Sequence, residues 1–140
     1  MFVDASAIVA ILAREPGYEE LEKRLSAVAG ETLHVSPLAK FEAALALARQ
    51  KSPPQRKPSP AFVRRAADAV DAFVADLGIE EMAISAEIGK AALEASASYG
   101  KIVGHPADLN FGDCFAYACA KALKTSLLYK GNDFRHTDLA

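Results

Sequence analysis

Short apolar segments alternate with longer amphipathic ones along the chain, and this alternation predicts an α/β protein. The short segments resemble strands and lie at residues 2–4, 32–35, 79–83 and 126–129, and the first of them should be buried. The longer segments place apolar residues at helical spacing and lie at residues 6–13, 18–28, from 37 onward, 62–77, from 86 onward and 112–123. Because strands and helices alternate, we expect a mainly parallel sheet.

Three predicted helices supply candidate core positions. The longest should bury one face, which consists of Phe62, Ala66, Ala69, Val70, Phe73 and Leu77. A later helix, capped by Ser85, should bury Ile88, Ala91, Ala92 and Ala95. The helix that Ser36 and Pro37 begin is apolar on nearly every side, so we expect most of it to be buried.

A proline-rich segment interrupts the pattern of helices. Residues 51–60, KSPPQRKPSP, contain four prolines, which a regular helix or strand does not accommodate. The chain has 140 residues, a length that fits one domain. We therefore predict a single domain over residues 1–140 with a proline-rich loop at 51–60.

Composition and cysteine content favour a cytoplasmic protein. Hydrophobic residues make up 51% of the chain, enough for a sizeable core, and the net charge is −2. The apolar stretch at residues 5–13 is too short to cross a bilayer, and no basic region precedes it, so we expect neither a membrane segment nor a signal peptide. Cys114 and Cys119 lie five residues apart on one predicted helix and should stay unpaired, as in a reducing compartment.

Three acidic residues lie where strands end or helices begin. Asp4 follows the first strand, Asp113 begins an apolar helix, and Asp133 follows the last strand in a Gly-Asn-Asp turn. Each has an ordinary structural role available, as a helix cap, a first-turn acid or a turn residue. However, open α/β sheets bind ligands beyond the carboxyl ends of their strands. We therefore expect the three carboxylates to converge there.

Glu42 is the acid that an ordinary role explains least. Its neighbours three and four residues away on the predicted helix are all apolar: Leu38, Ala39, Leu45 and Ala46. We therefore expect Glu42 to be buried, and a buried carboxylate is costly unless a cation compensates it. From the helix alone, that cation is either a Lys or Arg side chain or a metal ion.

Together the four acids favour phosphoryl chemistry on a hard metal ion. A ligand set made only of oxygen suits Mg²⁺ or Mn²⁺. Such an ion can activate water and stabilise a leaving oxygen. Other chemistries lack support, since His34, His105 and His136 do not have the spacing of a zinc site. The sequence also contains no phosphate-binding glycine loop and no G-x-S-x-G motif.

Four segments carry a resemblance to a known family. They are MFVDASAIVA at residues 1–10, the apolar helix around Glu42, LNFGDCFAYA at 109–118 and LLYKGNDF at 127–134. In this order they resemble the PIN-domain ribonucleases, and most of all the VapC-type toxins of bacterial toxin–antitoxin pairs. The resemblance covers the whole chain.

The resemblance implies a three-layer α/β/α sandwich with a mainly parallel sheet and a Mg²⁺-dependent endoribonuclease activity that Mn²⁺ can also support. It further implies a homodimer and a small VapB-type antitoxin as partner. The four acids of the family correspond to Asp4, Glu42, Asp113 and Asp133. Ser6 matches the serine of the D-x-S motif, and Thr137 matches a polar residue that often follows the last acid. The loop at 51–60 is longer than the family pattern, which leaves the dimer and antitoxin surfaces open.

Three other functions fit parts of the pattern. A receiver domain would need an acid adjacent to Asp4, and a D-x-D phosphatase would need an acid in place of Ser6; the sequence has neither. A catalytically silent PIN-fold module that binds nucleic acid or protein is disfavoured because all four acids are present. Mg²⁺-dependent cleavage of labelled RNA would separate the three from a nuclease.

One cationic stretch offsets the acidic net charge. Between residues 49 and 65 there are six basic residues and no acid, namely Arg49, Lys51, Arg56, Lys57, Arg64 and Arg65. Phosphate binding requires local positive charge rather than a positive total. We therefore predict that this stretch contacts RNA, while a solvated loop or a contact with an acidic partner remain alternatives.

Overall fold

The computed structural model describes residues 1–139 and contains a sheet of four parallel strands flanked by helices. The strands are β1 (Phe2–Val3), β2 (His34–Val35), β3 (Glu80–Glu81) and β4 (Leu127–Leu128). The helices are α1 (Ala5–Leu12), α2 (Tyr18–Ala27), α3 (Pro37–Gln50), α4 (Pro60–Asp76), α5 (Ala86–Tyr99) and α6 (Phe111–Leu123). Two 3-10 helices lie at Lys101–Val103 and Asp133–His136. The predicted α/β fold with a parallel sheet is therefore confirmed.

The strands run in the order β3–β2–β1–β4, which places β1 inside the sheet. Phe2 pairs with His34 on one side and with Leu127 on the other. Each strand is only two residues long, shorter than the sequence pattern predicted. Parallel hydrogen bonding continues just beyond the strands, however, since the amide of Asp4 donates to the carbonyl of Leu128 at 2.9 Å. This bond brings the chain after β1 beside the chain after β4.

The core combines the apolar strands with small residues of the helices. Phe2, Val3, Val35 and Leu128 are fully buried, and α6 packs against β1 and β4 through alanines and cysteines. Small side chains allow the helices to approach the sheet closely, which follows from the many alanines of the sequence. Helix α3 packs against α1 and α4, and Glu42 lines the same cavity as residues at the start of α1.

Helix boundaries follow the caps predicted at Ser36 and Ser85, and Ser59 is a further cap that was not predicted. Ser36, Ser59 and Ser85 each accept a hydrogen bond from the amide three residues later, at the start of α3, α4 and α5. Residues 51–59 lie between α3 and α4 and contain neither helix nor strand. The predicted proline-rich loop is thus present, and α4 starts at its last proline, Pro60.

Two predicted core positions are wrong, and helix α3 is less buried than expected. Leu77 is 43% exposed because it caps the end of α4, and the buried stripe there continues through Val74 instead. Ala91 is exposed because the face of α5 that contacts the core passes through Ile88, Ala92 and Ala95. Helix α3 is not buried on all sides either, since Phe41 is 61% exposed.

Cys114 and Cys119 are both buried and free, as predicted. Among the helices of residues 1–139, none has the length and apolar character needed to cross a membrane.

Candidate active site

Asp4 lies at the carboxyl end of β1 and caps α1. Its carboxylate accepts hydrogen bonds from the amide of Ser6 at 2.9 Å and from the hydroxyl of Ser6 at 2.5 Å. The residue is only 4% exposed, and burial raises the pKa of its carboxyl group against the lowering effect of these hydrogen bonds. Asp4 therefore has both the ordinary capping role and the position of a functional acid.

Ser6 connects Asp4 to the chain that follows β4. Its hydroxyl donates to Asp4 and accepts a hydrogen bond from the backbone amide of Lys130 at 3.0 Å. Because both of these partners are fixed by the sheet, the serine holds the Asp4 carboxylate in one orientation. This contact gives the serine of the D-x-S motif a positioning role.

Asp113 lies in the first turn of α6, where it completes a capping box with Asn110. The Asn110 side chain accepts from the Asp113 amide at 3.1 Å, and the Asp113 carboxylate accepts from the Asn110 amide at 2.9 Å. Burial, assisted by the charges of Asp4 and Asp133, raises the pKa of Asp113 from 3.8 to about 6 although the Asn110 amide lowers it.

Glu42 projects from α3 toward the same place. Burial, followed by the charges of Asp4 and Asp113, raises the pKa of Glu42 from 4.5 to about 7, and no hydrogen-bond donor acts against this shift. Glu42 is nevertheless only partly buried, so the prediction of a buried Glu42 is wrong, and Asp4 is the buried acid of the group. The reason is that one side of α3 faces an open cavity.

The sequence predicted that either a Lys or Arg side chain or a metal ion compensates Glu42. Among residues 1–139, no Lys or Arg side chain forms an ion pair with Glu42. Lys40, the other charged residue of this part of α3, forms ion pairs with Asp71 at 2.8 Å and Glu81 at 2.7 Å. Glu42 therefore faces other carboxylates without a compensating side chain.

Gly112 provides the space that the Glu42 carboxylate occupies. A Cβ atom at position 112 would overlap both carboxylate oxygens of Glu42. This glycine lies directly before Asp113, so α6 supplies one acid and makes room for another. No local pattern in the sequence indicates this role of Gly112, because it arises from the packing of α3 on α6.

Three of the four predicted acids line one cavity, while the fourth lies beside it. The cavity has a volume of about 490 Å³, and Asp4, Glu42 and Asp113 line it together with Ser6. Asp133 starts the 3-10 helix after β4 and is exposed, outside the lining. Its charge still raises the pKa of both Asp4 and Asp113, which places it close to them.

Thr137 lies outside the cavity lining. Its buried hydroxyl donates to the carbonyl of Phe134 at 2.8 Å and accepts from the amide of Leu139 at 3.2 Å. Both hydrogen bonds of the Thr137 hydroxyl therefore lie within the turn that follows the 3-10 helix.

The chemistry of the cavity fits a hard divalent cation. Its acids offer carboxylate oxygens, which Mg²⁺ and Mn²⁺ prefer, and their mutual repulsion would be relieved by such an ion. Within residues 1–139, no three His, Cys, Asp or Glu side chains already surround a common point as a finished metal site. Metal binding would therefore require side-chain adjustment, which the partly exposed Glu42 and the exposed Asp133 can make.

Comparison with known proteins assigns the family. The PIN domain family profile matches residues 1–139. A VapC ribonuclease of Rhizobium meliloti (strain 1021) is 51% identical over 140 residues, which cover 99% of this chain and 98% of that protein. The chain belongs to the VapC ribonucleases of the PIN-domain family.

More distant VapC proteins share the full length of the chain. Ribonuclease VapC42 of Mycobacterium tuberculosis (strain ATCC 25618 / H37Rv) is 34% identical over 139 residues, which cover 99% of this chain and 96% of that protein. The crystal structure of VapC20 of Mycobacterium tuberculosis, described as a toxin that cleaves the sarcin-ricin loop, superposes with a TM-score of 0.66. It covers 96% of this chain and 92% of that one at 19% identity, which supports the fold.

The cationic stretch of this VapC-family chain begins beside the acidic cavity. Gln50 at the end of α3 lines the cavity, and the loop at 51–59 follows it directly. All six basic residues of the stretch are exposed, and Arg65 lies over the ring of Phe62 at 5.2 Å. The positive charge is thus accessible to a ligand that extends from the cavity along the loop.

A larger cavity of about 980 Å³ lies elsewhere, between α1, α2, α4 and the start of β2 and β3. Its lining is mainly apolar and contains none of the four acids. The larger cavity is therefore not the one where the candidate acids converge.

Proposed function

We propose that this chain is a Mg²⁺-dependent endoribonuclease whose metal ligands are Asp4, Glu42, Asp113 and Asp133, and that it acts as the toxin of a toxin–antitoxin pair. The observation that carries the proposal is the arrangement of Asp4, Glu42 and Asp113 around one cavity. The charges of Asp4 and Asp113 raise the pKa of Glu42, and the charge of Asp4 raises the pKa of Asp113. Within residues 1–139 the three acids form no ion pair with Lys or Arg. The VapC ribonucleases among its relatives support RNA as the substrate.

In this proposal each residue has a defined task. Asp4, oriented by Ser6, and Asp113, oriented by the Asn110 amide, present carboxylates that other contacts already hold in place. Glu42, which lines the cavity, and Asp133, which lies beside it, would complete the ligand set. When bound, a divalent ion lowers the pKa of water and stabilises charge on the phosphate.

The direct test is cleavage of labelled single-stranded RNA by the purified chain. Cleavage should require Mg²⁺ or Mn²⁺, stop with EDTA and leave a DNA strand of the same sequence intact. A protein that binds RNA but does not cut it with either metal would instead be the silent PIN-fold module.

The stability of the metal-free protein should fall as the pH rises. Folding raises the pKa of Glu42 to about 7 and of Asp113 to about 6, so the native state holds more protons than the unfolded state between these values and the ordinary values of 4.5 and 3.8. Where the native state holds more protons, stability decreases with pH. The melting temperature should therefore be higher near pH 5 than near pH 8 when EDTA is present.

Divalent metal should reverse this trend, because it binds the ionised carboxylates of the folded state. Millimolar Mg²⁺ or Mn²⁺ should raise the melting temperature at pH 8 more than at pH 5. Glu42→Gln should show a weaker dependence on pH and a smaller metal shift. Equal metal shifts in both proteins would show that Glu42 is not a ligand.

We further propose that RNA leaves the cavity along the cationic stretch formed by Arg49, Lys51, Arg56, Lys57, Arg64 and Arg65. In a variant that binds but cannot cut, Arg56→Ala combined with Lys57→Ala should flatten the dependence of log affinity on log salt by about one or more, at roughly 0.7 per phosphate contact. Lys23→Ala combined with Arg14→Ala, which removes two exposed cations outside the stretch, is the control. An unchanged slope would leave the stretch as a linker.

A homodimer and a VapB-type antitoxin complete the proposal. Leu93, Ile102, Val103 and Phe111 are each more than half exposed on neighbouring elements, and a partner copy would cover such apolar surface. The antitoxin would cover the acidic cavity and place an Arg against the carboxylates. Light scattering at micromolar concentration should give about twice the chain mass of 14.9 kDa, and a monomer would contradict the dimer.

A further inference from the structure

Lys130 is the one basic residue that lines the acidic cavity among residues 1–139. It follows β4 by two residues, and its backbone amide donates to the Ser6 hydroxyl at 3.0 Å. That same hydroxyl donates to Asp4 at 2.5 Å. The backbone of Lys130 is therefore fixed relative to the carboxylate at the centre of the site, and its side chain can reach only a limited region around it.

The ammonium group of Lys130 is ion-paired with Glu15, which lies in the turn after α1. Glu15 also accepts a hydrogen bond from the side chain of Gln50 at the end of α3. Both Glu15 and Gln50 line the acidic cavity. The Lys130–Glu15 ion pair thus forms part of the cavity wall, at the end where α3 leads into the cationic stretch.

Because the Lys130–Glu15 ion pair is partly exposed, another anion can readily replace Glu15 beside the ammonium group. The Lys130 side chain is 36% exposed and that of Glu15 is 23% exposed. Ion pairs near the surface contribute little to stability because water and salt screen them. An RNA phosphodiester carries one negative charge on two non-bridging oxygens, as the Glu15 carboxylate does, so it can take the place of Glu15 beside the ammonium group. A cation at the wall would also offset part of the repulsion between the RNA phosphates and the carboxylates of the cavity, in addition to the proposed metal ion.

We propose that Lys130 binds an RNA phosphate at the acidic cavity, and that Glu15, held by Gln50, retains the Lys130 side chain at the cavity wall until RNA replaces it. The inference rests on the proposed ribonuclease function and adds a substrate-binding residue to it. It also predicts that Lys130 raises RNA affinity and that Glu15 lowers it, because Glu15 competes with RNA for the same ammonium group.

The test measures RNA affinity rather than cleavage, in Asp113→Asn protein that binds but cannot cut. A fluorescent single-stranded RNA is titrated by anisotropy over a series of KCl concentrations. Lys130→Gln should lower affinity about fourfold near 0.15 M KCl and reduce the log–log salt slope by about 0.7, the value for one phosphate contact on a single strand. Lys130→Arg should retain most of the affinity.

Lys121→Gln is the matched control. Lys121 also forms a single partly exposed ion pair, with Asp138 at 2.8 Å, but it does not line the cavity. Its loss should leave the affinity and the slope within error. An equal affinity with and without Lys130, including no measurable binding by either protein, would overturn the proposal.

A double-mutant cycle tests the competition by Glu15. Glu15→Gln should raise RNA affinity two- to fourfold when Lys130 is present, and this gain should disappear in Lys130→Gln protein. A gain that persists without Lys130 would show only the removal of a negative charge and would contradict the retention of Lys130 by Glu15. Wild-type protein that cleaves RNA while the Lys130 variants bind normally would refute this inference alone. Absence of metal-dependent cleavage by wild-type protein would refute the proposed function.

Discussion

Asp4→Asn should lower the rate of RNA cleavage by roughly a hundredfold or more, as the loss of a principal electrostatic group does in other enzymes. Asp113→Asn should show a loss of similar size. Both substitutions keep an oxygen that can accept the local hydrogen bonds from Ser6 and from the Asn110 amide. The missing feature in each case is a negative charge at the cavity.

The stability of these variants should distinguish this loss from misfolding. Asn is as good a helix cap as Asp, so α1 should keep its cap in Asp4→Asn. Burial disfavours the charged form of Asp4, so the neutral side chain should leave the melting temperature of the metal-free protein unchanged or higher. Circular dichroism and thermal melts in EDTA measure both properties.

Asp71→Asn is the matched control for the loss of an acid. Asp71 is exposed on α4 and pairs with Lys40, which keeps its second partner Glu81. Its activity should stay within about twofold of wild type, since surface ion pairs contribute little. Full activity in Asp4→Asn or Asp113→Asn would remove that residue from the proposed metal site.

The sequence predicted the class of fold because local signals and the alternation of elements agreed. Ser36 with Pro37 marked the start of α3, and Ser85 marked the start of α5. The short segments predicted all four strands, although β3 itself consists of the exposed Glu80 and Glu81. The exposure of single residues was less predictable. Leu77 continues the apolar spacing of α4 but lies at its cap, and Phe41 faces outward although α3 is apolar nearly all round. Exposure depends on which elements pack there, and spacing along one helix does not contain that information.

The candidate acids could be proposed from sequence because the carboxyl ends of parallel strands meet at one edge of the sheet. Their burial could not be ranked in the same way. The neighbours of Glu42 on its own helix suggested the deepest burial, yet Asp4 is more buried because α1 and β4 enclose it. The contact between Lys130 and Glu15 joins residues 115 positions apart, so no local spacing indicated it.

Gly112→Ala should reduce RNA cleavage by about ten- to a hundredfold without loss of stability. The new methyl group would overlap the carboxylate of Glu42, which is the far end of a flexible side chain, so Glu42 should move while the backbone stays. A displacement of about 1 Å at a catalytic site can cost on the order of a hundredfold in rate. Ala is also favoured over Gly in a helix, so the melting temperature should be equal or higher.

Gly89→Ala is the control for replacing a helical glycine by alanine. Gly89 lies in α5, and a Cβ atom there would meet nothing within 4 Å. It should leave activity unchanged. A second variant tests whether the displaced group is Glu42: Glu42→Asp shortens the side chain by one methylene and should relieve the overlap. Glu42→Asp should therefore cost less activity in Gly112→Ala protein than in wild type. Equal costs in both backgrounds, or full activity in Gly112→Ala, would show that the position of the Glu42 carboxylate does not limit the reaction.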